Sequence, residues 1–365
     1  MAAASACAIF SQVNHDRDRP GAGTGLYYSH PACLEHDPRV LSPRHPDTPE
    51  RLRSLERAMA ERDWLGWERR AAPPATESEL ELVHSAEHVG MIRELCRAGG
   101  GAIDPDTFVG EPSFRAALRA AGGACEMARA LSGGDADVGF CAVRPSGHHA
   151  ERDRAMGFSL FNNVAVAAAV AVAELGIGRV FVLDWDVHHG NGTAEIFRRR
   201  SDVLFASIHQ SRLFPGTGAL ADSGEGEGEG FTLNLPVPPG SGEPLWTALL
   251  ERVVLPAARA FAPDLVLVSA GFDAHEADPL AECRLRTSSF AVMAALVRDL
   301  ARAAGAPVGV VLEGGYNRAV LAECVCETLP AFLGQSQPSR IEASTGEDDP
   351  ITARALAQFE RYWPL

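Results

Sequence analysis

The chain has 365 residues, 46% hydrophobic and 22% charged, with a net charge of −15 and a sequence pI near 5.3. That length suits one large α/β domain or two modest ones, no apolar run approaches the roughly 18 residues that cross a bilayer, and the acidity disfavours contact with nucleic-acid phosphates. The 8 cysteines are scattered, only Cys324 and Cys326 lying close together, so free thiols in a reducing, cytoplasmic setting are expected rather than a disulfide framework.

Residues 1–20 read as a disordered tail, because the apolar start lacks a basic leader and soon turns charged. All 33 basic residues are Arg, which with the abundance of Ala and Gly suggests a GC-rich, bacterial coding sequence. Residues 24–28 are a candidate first strand. In the His- and Pro-rich loop at 42–52, Thr48 is placed to cap a helix opening on Pro49. His45 and Asp47 are rim candidates there, although a loop feeding a helix accounts for each. A helical pattern over 76–97 is interrupted at 83–89 and ended by Gly99-Gly100-Gly101. Residues 104–113 have turn chemistry and form a candidate specificity loop ahead of an Ala-rich helix from Phe114 to Leu131.

Residues 140–143 then lead into Arg144-Pro145-Ser146-Gly147-His148-His149-Ala150. A His pair taken alone is more often structural than catalytic, and these two need a bend to act together. An apolar helix runs from the segment 157–163 to about residue 175. The β-branched and aromatic run Arg179-Val180-Phe181-Val182-Leu183 reads as a buried strand, and its carboxyl end carries Asp184-Trp185-Asp186-Val187-His188-His189-Gly190-Asn191-Gly192-Thr193. Open α/β sheets present their chemistry at that end. Extended backbone would send Asp186 and His188 to one side, with Asp184 bracing from behind, which predicts a mononuclear metal hydrolase site.

A strand at 203–208 and a turn at 214–218 follow. The Glu/Gly repeat at 223–230 reads as a solvated loop rather than a calcium site. A helix over 243–261 precedes a second buried strand that delivers Asp273, and a third, at 307–312, delivers Glu313-Gly314-Gly315-Tyr316. The alternation predicts a single-domain, three-layer αβα fold over residues 21–335 with a mainly parallel central sheet, then a polar segment and short helix over 336–365.

The strand ends and loops thus offer His148, His149, Asp184, Asp186, His188, Asp273 and Tyr316 where α/β proteins assemble sites. The segments RPSGHHA (144–150), GFSLFNNVA (157–165), DWDVHHGNGT (184–193), FPGTG (214–218), LVSAGFDAHEADPL (267–280) and LEGGY (312–316) resemble the histone deacetylase and acetylpolyamine amidohydrolase family, in the family's order. Asn191 makes the chain most similar to the bacterial and class II branch. The resemblance implies an arginase/deacetylase-like fold and one Zn²⁺ held by Asp186, His188 and Asp273. On ligand chemistry alone, so oxygen-rich a set would also accept Fe²⁺ or Mn²⁺.

The same resemblance implies His149 as general base and acid oriented by Asn191, His148 held by Asp184 as its electrostatic partner, and Tyr316 as the oxyanion donor. It implies Phe158 and Phe214 as aromatic walls, Gly157 and Leu280 as further substrate contacts, and K⁺ behind the zinc on Asp184, Ser207 and main-chain oxygens of Asp186, His188 and Ile208; Glu111 is a substrate-rim candidate through its charge, since the spacing at 110–113 departs from the family's pattern. His189, His209 and His275 are read as structural. The implied substrate is an N-acetylated amine: acetyl-lysine, which Leu280 favours, or an acetylated polyamine or other small amine, which Glu111 and the overall acidity favour. A non-hydrolytic acyl-lysine reader and a binuclear manganese ureohydrolase are the alternatives on related folds. No nucleic-acid or membrane partner is expected, and a homo-oligomer is compatible with the sequence.

Overall fold

The computed structural model describes residues 25–340 and 349–365; the tail expected at 1–20 lies outside them. Its strands are β1 (Leu26–Ser29), β2 (Glu68–Ala71), β3 (Gly100–Ala102), β4 (Phe108–Gly110), β5 (Val138–Cys141), β6 (Val180–Asp184), β7 (Val203–Gln210), β8 (Thr232–Val237), β9 (Leu265–Ala270) and β10 (Val308–Leu312). Eight of them form one sheet in the order β2-β1-β5-β10-β9-β6-β7-β8, with every pairing parallel. β6, β9 and β10 are buried at every position, as strands covered on both faces must be, and this explains their near-continuous Val, Leu and Phe.

The helices are α1 (Glu50–Glu61), α2 (Glu77–Leu80), α3 (Ala86–Arg97), α4 (Ser113–Gly133), α5 (Asn163–Glu174), α6 (Asn191–Phe197), α7 (Glu243–Leu249), α8 (Leu255–Phe261), α9 (Thr287–Ala304), α10 (Arg318–Leu333) and α11 (Pro350–Phe359). A π-helical turn at Leu250–Val254 joins α7 to α8. They flank the sheet, with α4 lying along α5 and α10 between α1 and α9. Side-chain caps begin several of them: Thr76 and Glu79 form a capping box at α2, and Asn162 accepts from the Ala165 amide at α5. Among the described residues no helix is long and apolar enough to cross a membrane. After α11, the Trp363 indole donates to the Gly230 carbonyl at 2.7 Å and its ring meets Phe231 edge-on.

Several local expectations are revised. Thr48 supplies its carbonyl to the first turn of α1 rather than a side-chain cap, and Pro49 is already helical. The loop at 104–113 contains β4, which pairs antiparallel with β3. Three further strands, β2, β5 and β8, were not expected from the sequence. β8 carries Pro236, which argues against a strand except at an edge, and β8 is an edge; β2 is Glu-Arg-Arg-Ala, a mostly exposed edge with no apolar alternation to read.

Candidate active site

Because β10, β9, β6 and β7 are neighbours, their carboxyl ends bring residues from 184, 207, 273 and 313 to one place. Asp186, His188 and Asp273 are all buried, and their ligand atoms lie within 4.8 Å of one another. Each carboxylate is aimed by backbone amides: Asp186 Oδ1 accepts from His188 N at 2.9 Å and Oδ2 from Gly314 N at 2.8 Å, while Asp273 Oδ1 accepts from Val187 N at 2.9 Å. The other Asp273 oxygen, Oδ2, is buried, accepts no backbone amide, and faces the His188 ring nitrogen Nδ1 at 3.2 Å, so the two groups point at one another as ligands of a shared ion would. A cation bonded at about 2 Å to each ligand reaches all three and satisfies that oxygen, so the residues fit a metal ion.

The turn at His148 and His149, closed by the Ala150 amide on the Gly147 carbonyl at 2.9 Å, brings both histidine rings to this cluster, their centroids 3.9 Å apart. His148 Nδ1 lies 2.9 Å from Asp184 Oδ2, whose Oδ1 accepts from Asp186 N. His149 Nδ1 lies 2.8 Å from Asn191 Oδ1. The Asn191 amide nitrogen donates to Glu151 Oε1 and to the His149 carbonyl, which fixes the orientation of that amide. Asn191 therefore presents its oxygen to Nδ1, Nδ1 carries the ring proton, and Nε2 keeps its lone pair.

Burial opposes charge on both rings, with opposite outcomes. At His148 the carboxylates of Asp186 and Asp184 outweigh burial and raise the pKa to about 10. At His149 burial and the nearby His148 and His188 hold it well below the usual imidazole value. Burial, then Asp186, raises Asp273; burial also raises Asp184 to about 6 and Glu313 to about 7.

Tyr316 follows β10 on a loop held from two sides. Asp278 Oδ2 accepts from the Tyr316 and Asn317 amides, and the Arg51 guanidinium donates to the Gly315 carbonyl at 2.6 Å and to that of Glu313. Arg51 also lies over the Tyr316 ring, 4.8 Å from its centroid. Burial raises the phenol pKa well above its ordinary value. Gly314 lies so close to the Asp186 and Asp273 carboxylates that a Cβ would collide with both.

Phe158 and Phe214, expected as aromatic walls, both lie beside the cluster. Phe214 meets the His149 ring edge-on at 5.0 Å, and Phe158 meets Tyr316 at 5.8 Å. Gly157 has φ +57 and lies against both His149 and Phe214, so only a residue without Cβ fits. Leu280 is half-buried and its amide donates at 3.0 Å to Asp278, the carboxylate that also accepts from the Tyr316 amide; Glu111 is exposed just after β4. Asp184 and Ser207 sit opposite each other in the β6/β7 register. His189 bonds to Thr217 and Asn234, His209 to Ser207 and the Gly218 carbonyl, and His275 to Thr287.

Two expectations in the early loop change. Asp47 is not a rim residue: it is 1% exposed, and its oxygens accept from Arg144 at 2.6 Å twice and from Arg51 at 2.8 Å. His45 stacks edge-on against Phe158 at 4.5 Å and bonds the Asp106 carbonyl, so it backs an aromatic wall. Sequence reasoning missed Arg51, Glu313 and Thr107. Glu313 accepts from the Gly147 amide at 2.7 Å, and Thr107 Oγ1 from the Phe158 amide at 3.2 Å. Glu313 was signalled by standing at a buried strand's carboxyl end; Arg51 and Thr107 carried no local signal.

Fold and site together define an α/β enzyme with a buried His/Asp pocket suited to a metal ion. The histone deacetylase domain matches residues 45–332, and the chain belongs to that family. A histone deacetylase-like amidohydrolase of Pseudomonas aeruginosa is 44% identical over 291 residues, covering 79% of this chain and 76% of that protein. A probable deacetylase of Methanothermobacter thermautotrophicus is 40% identical over 279 residues, covering 75% and 78%. The crystal structure of the HDA15 HD domain superposes with a TM-score of 0.86 at 36% identity, covering 94% of this chain and 96% of that one. The single-domain sheet with flanking helices is therefore the family's fold, and the activity class is that of a deacetylase or amidohydrolase.

Proposed function

We propose that this protein hydrolyses the amide of N-acetylated amines, acetyl-lysine first among them, with a zinc ion held by Asp186, His188 and Asp273. The observation that carries the reading is the meeting of that trio with a neutral histidine, His149, whose ring lies 5.9 Å from the His188 ring. When bound, the ion supplies a Lewis acid that polarises the substrate carbonyl and acidifies water.

The chain's own groups carry the protons. His149 Nε2, unprotonated because Asn191 claims Nδ1, takes a proton from the attacking water and returns it to the leaving amine. His148, its charge favoured by Asp186 and by the hydrogen bond to Asp184, adds positive charge beside the developing oxyanion. Tyr316 keeps its phenolic proton and donates it as a hydrogen bond to that oxyanion. Phe158 and Phe214 line the methylene chain and exclude water. A K⁺ on Asp184, Ser207 and the main-chain oxygens of Asp186, His188 and Ile208 belongs to the same reading, supported by the Asp184/Ser207 register.

Exposed Glu111 and the net charge of −15 favour an acetylpolyamine or another small acetylated amine as the second reading. Asp278, the extra carboxylate a binuclear manganese centre would recruit, is engaged by the amides of Tyr316 and Asn317, which weighs against a ureohydrolase. The test is a hydrolysis panel of acetyl-lysine peptides, acetylputrescine, acetylspermidine and longer acyl-lysines, run with the zinc-loaded protein and with Tyr316→Phe. Wild-type turnover of acetyl-lysine and loss of about 10²–10³ in kcat in the variant are expected. Full activity in the variant would sink the assigned mechanism, and turnover of acetylpolyamines alone would move the substrate to the second reading.

A further inference from the structure

A cavity of about 360 Å³ lies apart from the His/Asp cluster, between the ends of β7 and β8 and the helix α11. Its apolar walls include Leu220, Leu235, Leu249 and Ile351, and two guanidinium groups, Arg212 and Arg354, line it as well. Both arginines are exposed, and neither makes an ion pair or side-chain hydrogen bond with any described residue. Two arginines that pair close to the cavity walls differ from them: Arg198 is matched with Asp222 and Glu225, and Arg340 with Glu251. In a chain of net charge −15, two guanidiniums without a partner among the described residues, at one apolar cavity, make a local cationic site.

The size and chemistry select a ligand class. At about 30 Å³ per water-sized group, the volume holds roughly a dozen heavy atoms. Two planar forks suit a carboxylate, and the walls suit an aliphatic body. The cavity also shares a loop with the site already described. Arg212 has φ +61, a left-handed kink, and two residues later the same loop puts Phe214 against the His149 ring. Ser211 and Leu220 of that loop line the cavity too, while Thr217 bonds His189.

We propose that this cavity is an effector site for a small amphiphilic carboxylate, an anionic head with an aliphatic chain of about ten carbons. The head engages Arg212 and Arg354, and occupancy is felt at Phe214 through the shared loop. The effector role rests on the amide-hydrolase reading; the binding site does not.

The experiment is isothermal titration calorimetry of the full-length protein with decanoate below its micellar concentration, against decyltrimethylammonium and acetate. One saturable decanoate site per chain is expected, with both controls at least tenfold weaker. The double variant Arg212→Ala/Arg354→Ala should weaken decanoate at least tenfold, and Ile351→Trp, which fills the cavity while keeping both charges, should do the same. Saturating decanoate should shift KM for an acetyl-lysine amide in the wild type and leave it unmoved in the double variant. Equal decanoate affinity in wild type and double variant would place the ligand elsewhere, in the substrate channel for instance, and overturn the site. An unmoved KM in an active, saturated wild type would overturn the effector role. Because calorimetry needs no turnover, failure of the site and failure of the hydrolase reading give different results.

Discussion

Replacing Asp47 with Asn tests how much the buried charge cluster behind the site contributes. Asp47 is fully enclosed by Arg144, which donates to both of its oxygens, and Arg51, which donates to Oδ1. Whichever way the substituted amide turns, its NH₂ faces a guanidinium donor and two buried cations lose their counter-charge. Breaking one partner of a buried pair costs about 3–5 kcal/mol. A chain of 365 residues at about 2.1 cal/mol/K per residue has an unfolding entropy near 0.77 kcal/mol/K, so Tm should fall by about 4–7 °C.

The pH dependence has a defined sign. Burial raises the Asp47 carboxyl pKa, but Arg144 and Arg51 outweigh it and leave it well below the usual carboxylate range. The folded pKa lies below the unfolded one, so the stabilisation is complete above about pH 4 and fades as acid is added. Scanning calorimetry of wild type and Asp47→Asn from pH 7 to pH 3 reads both effects, and the gap in Tm should narrow toward pH 3. A variant melting within about 1 °C of wild type at pH 7 would refute the argument. It would show that the two arginines find other acceptors.

Asn191→Ala leaves His149 Nδ1 without its acceptor, so kcat should fall about 10–100-fold while zinc content by elemental analysis stays at one per chain. Asp273→Asn should instead lose the zinc itself, and an unchanged metal content would remove Asp273 from the ligand set. Gly157→Ala forces a Cβ against the His149 and Phe214 rings at a positive φ; it should raise KM and lower kcat together, and unchanged kinetics would show that the loop yields. Chelation should abolish turnover and lower Tm, since a ligand that binds only the folded state stabilises it by mass action, and re-added Zn²⁺ should restore both. A chelated protein that keeps full activity would refute the metal reading.

The central strands were legible because burial on both faces writes itself as unbroken Val, Leu and Phe, as in β6, β9 and β10. Each such strand ended on the residues now found clustered. The edges were harder to read: β2 has no apolar alternation and is held by backbone pairing, and β8 alternates Leu233, Leu235 and Val237 into the core but carries Pro236 among them. The same holds behind the site. Asp186, His188 and Asn191 sit in one short segment whose spacing can be read, whereas Arg51 reaches the Gly315 carbonyl across 264 positions. A carbonyl acceptor leaves no trace in composition, so nothing local marked Arg51 as the support of Tyr316. Asp47, a rim candidate in the sequence, gave no sign of its burial for a similar reason: its two guanidinium partners lie 4 and 97 positions away.

The strand order has a consequence for how the protein is made. β10 is the last of the described strands to leave the ribosome, yet it lies inside the sheet, between β5 and β9. A nascent chain that stops before residue 308 holds two half-sheets, each with a bare parallel edge, and Tyr316 and its loop are still unmade. The finished site therefore appears in one late event, when β10 inserts between the halves. Until then those two edges are open to other chains, and co-translational holding of them by chaperones would govern the yield of active protein.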